Sequence, residues 1–284
     1  MAGRRHRLRM PLRHARAAFH RFPPVIFAPM SSDRLDQLVS LSHQVGDPAW
    51  DCAILGEGNT SCQQDADTFW VKGSGCCLGT MGKADFVLLR QAQLVALLDR
   101  DAVAEAELSA AYAAAKADPA QPRRPSVEAV FHAMLLTQPG VTFVAHTHPT
   151  AVNMLSCTPR WREAFAGRLF PDEAVVCGPA TCLVPYVDPG VPLARAIRDQ
   201  VLAHRQAHGA PPKAIIMQNH GLIACGASAT EAANITAMMV KAARIRIGAL
   251  SIGGFADLGA ETTRHLLARP DEKYRMSALT GIRP

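Results

Sequence analysis

The stretch 141–149, VTFVAHTHP, constrains this chain more than any other. Apolar residues, β-branched and aromatic among them, lead into His146, Thr147 and His148, and then Pro149. On an extended strand, side chains at i and i+2 point to the same face. His146 and His148 can therefore offer two imidazole nitrogens to one point in space. Pro149 has no N–H for a ladder and ends the strand. Two same-face histidines at the end of an apolar strand make half of a metal site. The same spacing also fits a pair of surface or packing histidines, and the rest of the chain has to decide between them.

The chain has 284 residues, 49% hydrophobic and 19% charged, enough for a large core in one or two domains. Its net charge of +6 is concentrated at one end. The first 22 residues hold seven arginines and no acid, and the remainder is close to neutral. A nucleic-acid surface needs a basic face on a folded element, so that partner is not expected. The basic run lacks the apolar core of a secretory signal. It fits an Arg-rich transit-like presequence or, as preferred here, an extension upstream of Met30 that does not fold. The expected organisation is a basic extension over 1–29 and one domain over 30–284. No apolar run approaches the ~18 residues of a membrane span. The eight cysteines (52, 62, 76, 77, 157, 177, 182 and 225) show no metal-ligand spacing, and most sit in apolar segments. A reducing, cytoplasmic setting fits that usage; the adjacent pair Cys76-Cys77 has no assigned role.

Taken in order, residues 31–46 predict a first helix capped by Ser32 or Asp33, with Leu35, Leu38, Val39 and Leu41 on its apolar side. Residues 53–55 predict a short strand. Gly56, Gly58 and Asn59 form a turn, followed by a strand over 68–72 and then Gly73-Ser74-Gly75. These two loops suit ordinary hairpins, and they also suit an anion held by several N–H and O–H donors. A strand over 86–89 runs into a short helix. An Ala-rich surface helix over 101–118 and a Pro-rich connector over 117–125 follow. Ser126 is expected to cap a helix in which Glu128 and His132, four apart, share a face. Residues 150–156 and 159–166 predict short helices, and AVVCG and TCLVPY (174–178 and 181–186) short strands. A Pro-started helix covers roughly 189–206. KAIIM and LIACG make a hairpin with His220 at its tip, and a long amphipathic helix over 228–249 follows. Hairpins mixed with helices favour a mixed or antiparallel sheet with helices on its faces over a doubly wound parallel one.

His220 supplies a third histidine from a second strand-turn-strand. Three histidines with one open coordination position are the pattern of a catalytic zinc. Glu128 then becomes a general acid/base or a labile fourth ligand.

The order GEGNTS (56–61), KGSG (72–75), PSVE (125–128), HTHP (146–149) and NHG (219–221) resembles the class II aldolase/adducin family over roughly residues 32–250. The resemblance implies a three-layer α/β/α fold with a central, mostly antiparallel sheet. It also implies a homotetramer with active sites at subunit interfaces. His146, His148 and His220 match the family's Zn2+ ligands, and Glu128 its catalytic glutamate. Gly58, Asn59, Ser74, Gly75 and Ser126 match positions that hold a substrate phosphate. A tyrosine from a neighbouring subunit assists in related aldolases. Tyr274 is the one taken to match it, ahead of Tyr112 in the Ala-rich helix and Tyr186 in a turn. His132 is read as a packing or supporting residue. Two departures matter. Val127 stands where the aldolases commonly carry a second serine, and Glu128 stands where the epimerases carry aspartate, which argues against epimerisation.

The implied activity is zinc-dependent cleavage of a C–C bond in a ketose phosphate or related hydroxy-keto compound through an enediolate. A decarboxylase or dehydratase would use the same metal site. A non-enzymatic adducin-like module fits less well, because adducins are not expected to keep the three histidines.

Overall fold

The structure, a computed structural model, describes residues 33–280, so the basic extension over 1–29 and the Ser32 cap lie outside the described residues. Seven strands form one sheet: β1 (Asn59–Gln63), β2 (Thr68–Lys72), β3 (Phe86–Arg90), β4 (Phe143–Thr147), β5 (Cys182–Val184), β6 (Ala214–Met217) and β7 (Gly221–Gly226). Their spatial order is β3-β2-β1-β4-β7-β6-β5, antiparallel throughout except for the β5–β6 pair. The α-helices of the described residues are α1 (Arg34–Val45), α2 (Gln91–Val95), α3 (Glu105–Ala115), α4 (Ala129–Leu136), α5 (Thr150–Ser156), α6 (Trp161–Ala164), α7 (Pro171–Cys177), α8 (Val191–His208), α9 (Ala229–Leu250), α10 (Gly259–Ala268) and α11 (Pro270–Thr280).

Strand alternation sorts the core into two layers. Phe143 and Ala145 of β4, with Leu222 and Ala224 of β7, face α1, α5 and α9 through Leu38, Leu41, Val152, Ile235 and Met239. Val144, Ile223 and Cys225 point the other way, onto α4 and α8 through Val130, Phe131, Ile197 and Val201. Helices thus cover both faces of a mostly antiparallel sheet, the expected three-layer arrangement. His146 and His148 follow from the central strand β4, and His220 from the turn between β6 and β7. Both edges are short or covered. β5 has three residues, and on the far side Leu89 of β3 bridges to Lys116, with Ala117 N–H donating to the Leu88 carbonyl.

Asp33 caps α1 as expected, accepting from Leu35 N–H at 3.0 Å. Four local expectations need correction. Residues 53–55 are not a strand: Leu55 has φ 52° and is 81% exposed, and the strand begins only at Asn59. AVVCG is the end of helix α7, not a strand, because Pro171 stands at its first turn with Asp172 and Glu173, and Gly178 at φ 77° stops it. Two adjacent valines favour β structure locally, but the signals at the two ends of the segment decide for a helix. Ser126 does not cap α4. Glu128 is the N-cap residue, and Ser126 Oγ accepts the Glu128 N–H at 3.3 Å. The Ala-rich helix is shorter than 101–118, covering only Glu105–Ala115.

Candidate metal and acid–base site

β1 and β4 pair with Asn59 opposite His146, which sets the two on the same side of the sheet. Such close approach requires Gly58. It has φ +65°, and a Cβ there would stand 2.6 Å from the His146 carbonyl oxygen. Gly221 is constrained in the same way. A Cβ on it would lie 2.4 Å from the Thr147 carbonyl oxygen and 2.9 Å from His148 Cδ2, so the β6–β7 turn can press its histidine against the other two. Asn219, at φ 54°, completes that turn.

The three rings converge. Their centroids stand 4.8, 4.9 and 5.1 Å apart, and one nitrogen from each lies within 4.8 Å of the others. His146 is fully buried, and its Nδ1–H donates to the Leu222 carbonyl at 3.0 Å, leaving the Nε2 lone pair for the site. His148 Nε2 lies 3.0 Å from that atom. Burial lowers the pKa of His146 well below the ordinary histidine range, helped by His148 and His220, and brings His220 down to about 4. Burial also lowers His148, against the opposing pull of Glu57, whose Oε1 is 3.8 Å from His148 Nδ1. Three neutral imidazoles with lone pairs aimed at one point are the donor set of a borderline divalent cation, and the residues present fit one.

Glu128 completes the constellation. Its Oε2 is 3.4 Å from His146 Nε2 and its Oε1 3.3 Å from His220 Nε2. Burial pushes its carboxyl above the usual range, with Asn59 and Lys72 pulling the other way. A hydrogen-bonded relay holds it. Asn59 Nδ2 donates to Glu128 Oε2 at 2.7 Å and to Ser126 Oγ at 3.1 Å. Asn59 Oδ1 then faces His132 Nε2, which must be the protonated nitrogen, and His132 Nδ1 accepts from Ser61 Oγ at 2.6 Å. His132 is fully buried, with its pKa pushed down to about 3 by burial, and it stacks on Phe131. It supports Asn59 and stands outside the histidine triad, as expected.

Of the other residues expected at the site, Ser126 is buried beside Asn59, while Ser74 and Gly75 are exposed at the end of β2. Tyr274 is 78% exposed on α11, which packs on α7, α9 and α10, none of which carries a site residue. The residue sequence reasoning missed is Lys72. Its buried Nζ donates to the Gly56 and Gly58 carbonyls at 2.7 and 2.8 Å, tying the first glycine turn to β2. The KGSG motif contained it, but a lysine at a strand end reads as solvated until its carbonyl partners are seen.

This is an α/β/α protein with three clustered histidines flanked by a carboxyl group on a central, mostly antiparallel sheet. A family model described as "Class II Aldolase and Adducin N-terminal domain" matches residues 36–247, and the chain belongs to that family. Among curated relatives, it is 30% identical over 200 residues to an uncharacterised oxidoreductase of Bacillus subtilis, YuxG, covering 68% of this chain and 26% of the relative. It is 34% identical over 113 residues to a 3-oxo-tetronate 4-phosphate decarboxylase of Escherichia coli, covering 39% of this chain and 50% of that one. The chain thus matches between about a quarter and about half of the length of these relatives. Among solved structures, an N-terminal class II aldolase domain from Thermoplasma acidophilum superposes with TM-score 0.63 at 24% identity, covering 81% of this chain and 100% of the other. An L-fuculose 1-phosphate aldolase superposes with TM-score 0.61 at 17% identity, covering 87% and 98%. These last two likenesses establish the fold.

Proposed function

We propose that this chain is a metal-dependent lyase that breaks the bond between the α- and β-carbons of a phosphorylated hydroxy-keto compound, by aldol cleavage. The observation that carries the reading is the convergence of three neutral imidazoles with a buried carboxyl 3.3–3.4 Å from two of them. His146, His148 and His220 would hold the cation. Zinc suits an all-histidine set, and when bound it supplies Lewis acidity toward the substrate's carbonyl and hydroxyl oxygens. Glu128, which burial makes reluctant to ionise, delivers a proton to the carbon left electron-rich when the bond breaks, and takes one back in the reverse direction. Asn59 fixes which carboxylate oxygen is free to do so. Ser74, Gly75 and Ser126, with the Gly58–Asn59 turn, line the place for the phosphate. Tyr274, exposed on its own subunit, serves a neighbour's site in a homotetramer.

A second reading, decarboxylation of a keto sugar-acid phosphate, is favoured by the similarity to the 3-oxo-tetronate 4-phosphate decarboxylases. It needs the same electron-rich carbon and the same proton donor. A panel of ketose phosphates and keto sugar-acid phosphates, offered to the zinc-loaded protein, separates the two. Release of an aldehyde supports the first and release of carbon dioxide the second. No C–C cleavage of any compound overturns both.

A further inference from the structure

Arg124 lies in a short extended segment that runs antiparallel to the end of β2. Ser74 N–H donates to the Arg124 carbonyl at 2.8 Å and Ser126 N–H to the Lys72 carbonyl at 3.0 Å. Between them Gly73 bridges Pro125 at a position that asks no hydrogen bond of either, which suits a proline. Side chains directly opposite share a face, and so do those two apart. Lys72, Ser74, Arg124 and Ser126 therefore fall on one face, and Gly73, Arg123 and Pro125 on the other.

Contacts on both faces agree with that register. On the far face, a Cβ on Gly73 would meet Arg123 Cδ at 3.1 Å, and Arg123 pairs with Asp85. On the near face, Ser126 Oγ meets Asn59 Nδ2, and Lys72 Nζ reaches the Gly58 carbonyl. Arg124 is exposed and, among the described residues, has no ion-pair partner. It stands opposite Ser74, on the side that faces Asn59 and Ser126.

On that side Lys72 keeps its positive charge, but two of its three N–H groups go to the Gly56 and Gly58 carbonyls. Ser126 Oγ accepts from Asn59 and from Glu128 N–H, leaving one hydrogen to donate. Val127, 57% exposed, offers no side-chain donor. Neutral donors alone compensate a dianion poorly, whereas a guanidinium fork matches phosphate oxygens two at a time.

We propose that Arg124 is a substrate-binding residue whose guanidinium clamps the phosphate of the substrate against Ser74 and Ser126. The inference rests on the reading of a phosphorylated substrate given above, and its test separates the two. Binding of inorganic phosphate to the zinc-loaded protein is measured by calorimetry at fixed ionic strength for wild type, Arg124→Gln, Arg124→Lys and Arg123→Gln. In parallel, KM and kcat are measured for the best phosphorylated panel compound and for its unphosphorylated counterpart. Arg124→Gln is expected to weaken phosphate binding and raise KM for the phosphorylated compound by about 10- to 100-fold. Its kcat should change less than about threefold, with the unphosphorylated compound unaffected and the thermal melt unchanged. Arg124→Lys should recover only part of the loss, and Arg123→Gln, the same charge change on the far face, should match wild type. Phosphate bound equally by wild type and Arg124→Gln overturns the assignment while leaving the lyase reading standing, and so does equal weakening by Arg123→Gln. A wild-type protein that binds no phosphate, yet cleaves unphosphorylated compounds, overturns the phosphate assignment alone. One that neither binds phosphate nor cleaves anything overturns both.

Discussion

Glu128 is held by Asn59 at one oxygen and lies near an imidazole at each, so its chemistry and its support can be separated by substitution. Glu128→Gln keeps the shape and the Asn59 contact, and we expect it to retain bound metal while turnover falls about 10²-fold or more. Metal analysis beside steady-state rates checks both halves; an unimpaired rate removes the acid–base role. His148→Ala should lose metal and activity together, and a fully loaded mutant would show the ligand assignment to be wrong. His132 makes a prediction about pH. Its pKa is about 3 in the folded protein against about 6.5 in an unfolded chain. Below pH 6.5 the unfolded state takes up a proton that the folded state refuses. Stability from this group is therefore complete above pH 6.5 and declines as pH falls toward about 3. His146 and His220 act in the same direction in the metal-free protein. Urea midpoints of metal-free protein across that window should fall with pH, and His132→Gln should remove about one proton's share of the slope. At this scale the sequence was informative where chemistry forces a residue type. Histidines two apart on a strand, or a glutamate at a helix start, are visible as such. The tautomer of His132 and the work of Lys72 were not, because both depend on partners 71–73 and 14–16 positions away.

The two glycine turns do for the elements what Asn59 does for the carboxyl. Gly58 and Gly221 let β1 and the β6–β7 turn lie against β4 with no side chain between. Gly58→Ala combines a positive φ with a backbone collision, and we expect a loss of roughly 1–3 kcal/mol in urea unfolding together with weaker metal retention. Away from the site, Arg168, Glu173 and Arg246 are buried together, with Glu173 Oε1 2.8 Å from Arg246 Nη2 and 3.4 Å from Arg168 Nη1. They pin the start of α7 and the loop before it to α9. Glu173→Gln leaves two guanidinium groups uncompensated in the interior, and we expect it to cost about 3–5 kcal/mol, read from the thermal and urea midpoints. The same segment shows why element type was harder to read than element location. A β-branched pair in AVVCG fits a strand locally, whereas Pro171, two acids and Gly178 mark a helix only when the whole segment is weighed. The β6–β7 hairpin was legible because its turn residues and both its strands are contiguous.

At the scale of the molecule, the layer order followed from the alternation of hairpins and helices, but the strand order did not. Placing β4 between β1 and β7 joins segments about 80 residues apart, and no local pattern encodes that. No helix among the described residues is long and apolar enough to cross a membrane. If Tyr274 serves a neighbouring site, mixing the impaired Tyr274→Phe and Glu128→Gln proteins and allowing subunits to exchange should restore wild-type turnover to a fraction of sites; each protein alone should stay slow. The sheet's margins bear on how copies can meet. With three residues on one margin and a strap across the other, neither offers a run of free amide groups long enough to recruit a strand from another chain. Among the described residues, contact between copies is left to helical flanks and loops, and growth of one continuous ribbon from sheet to sheet is closed off by the architecture itself.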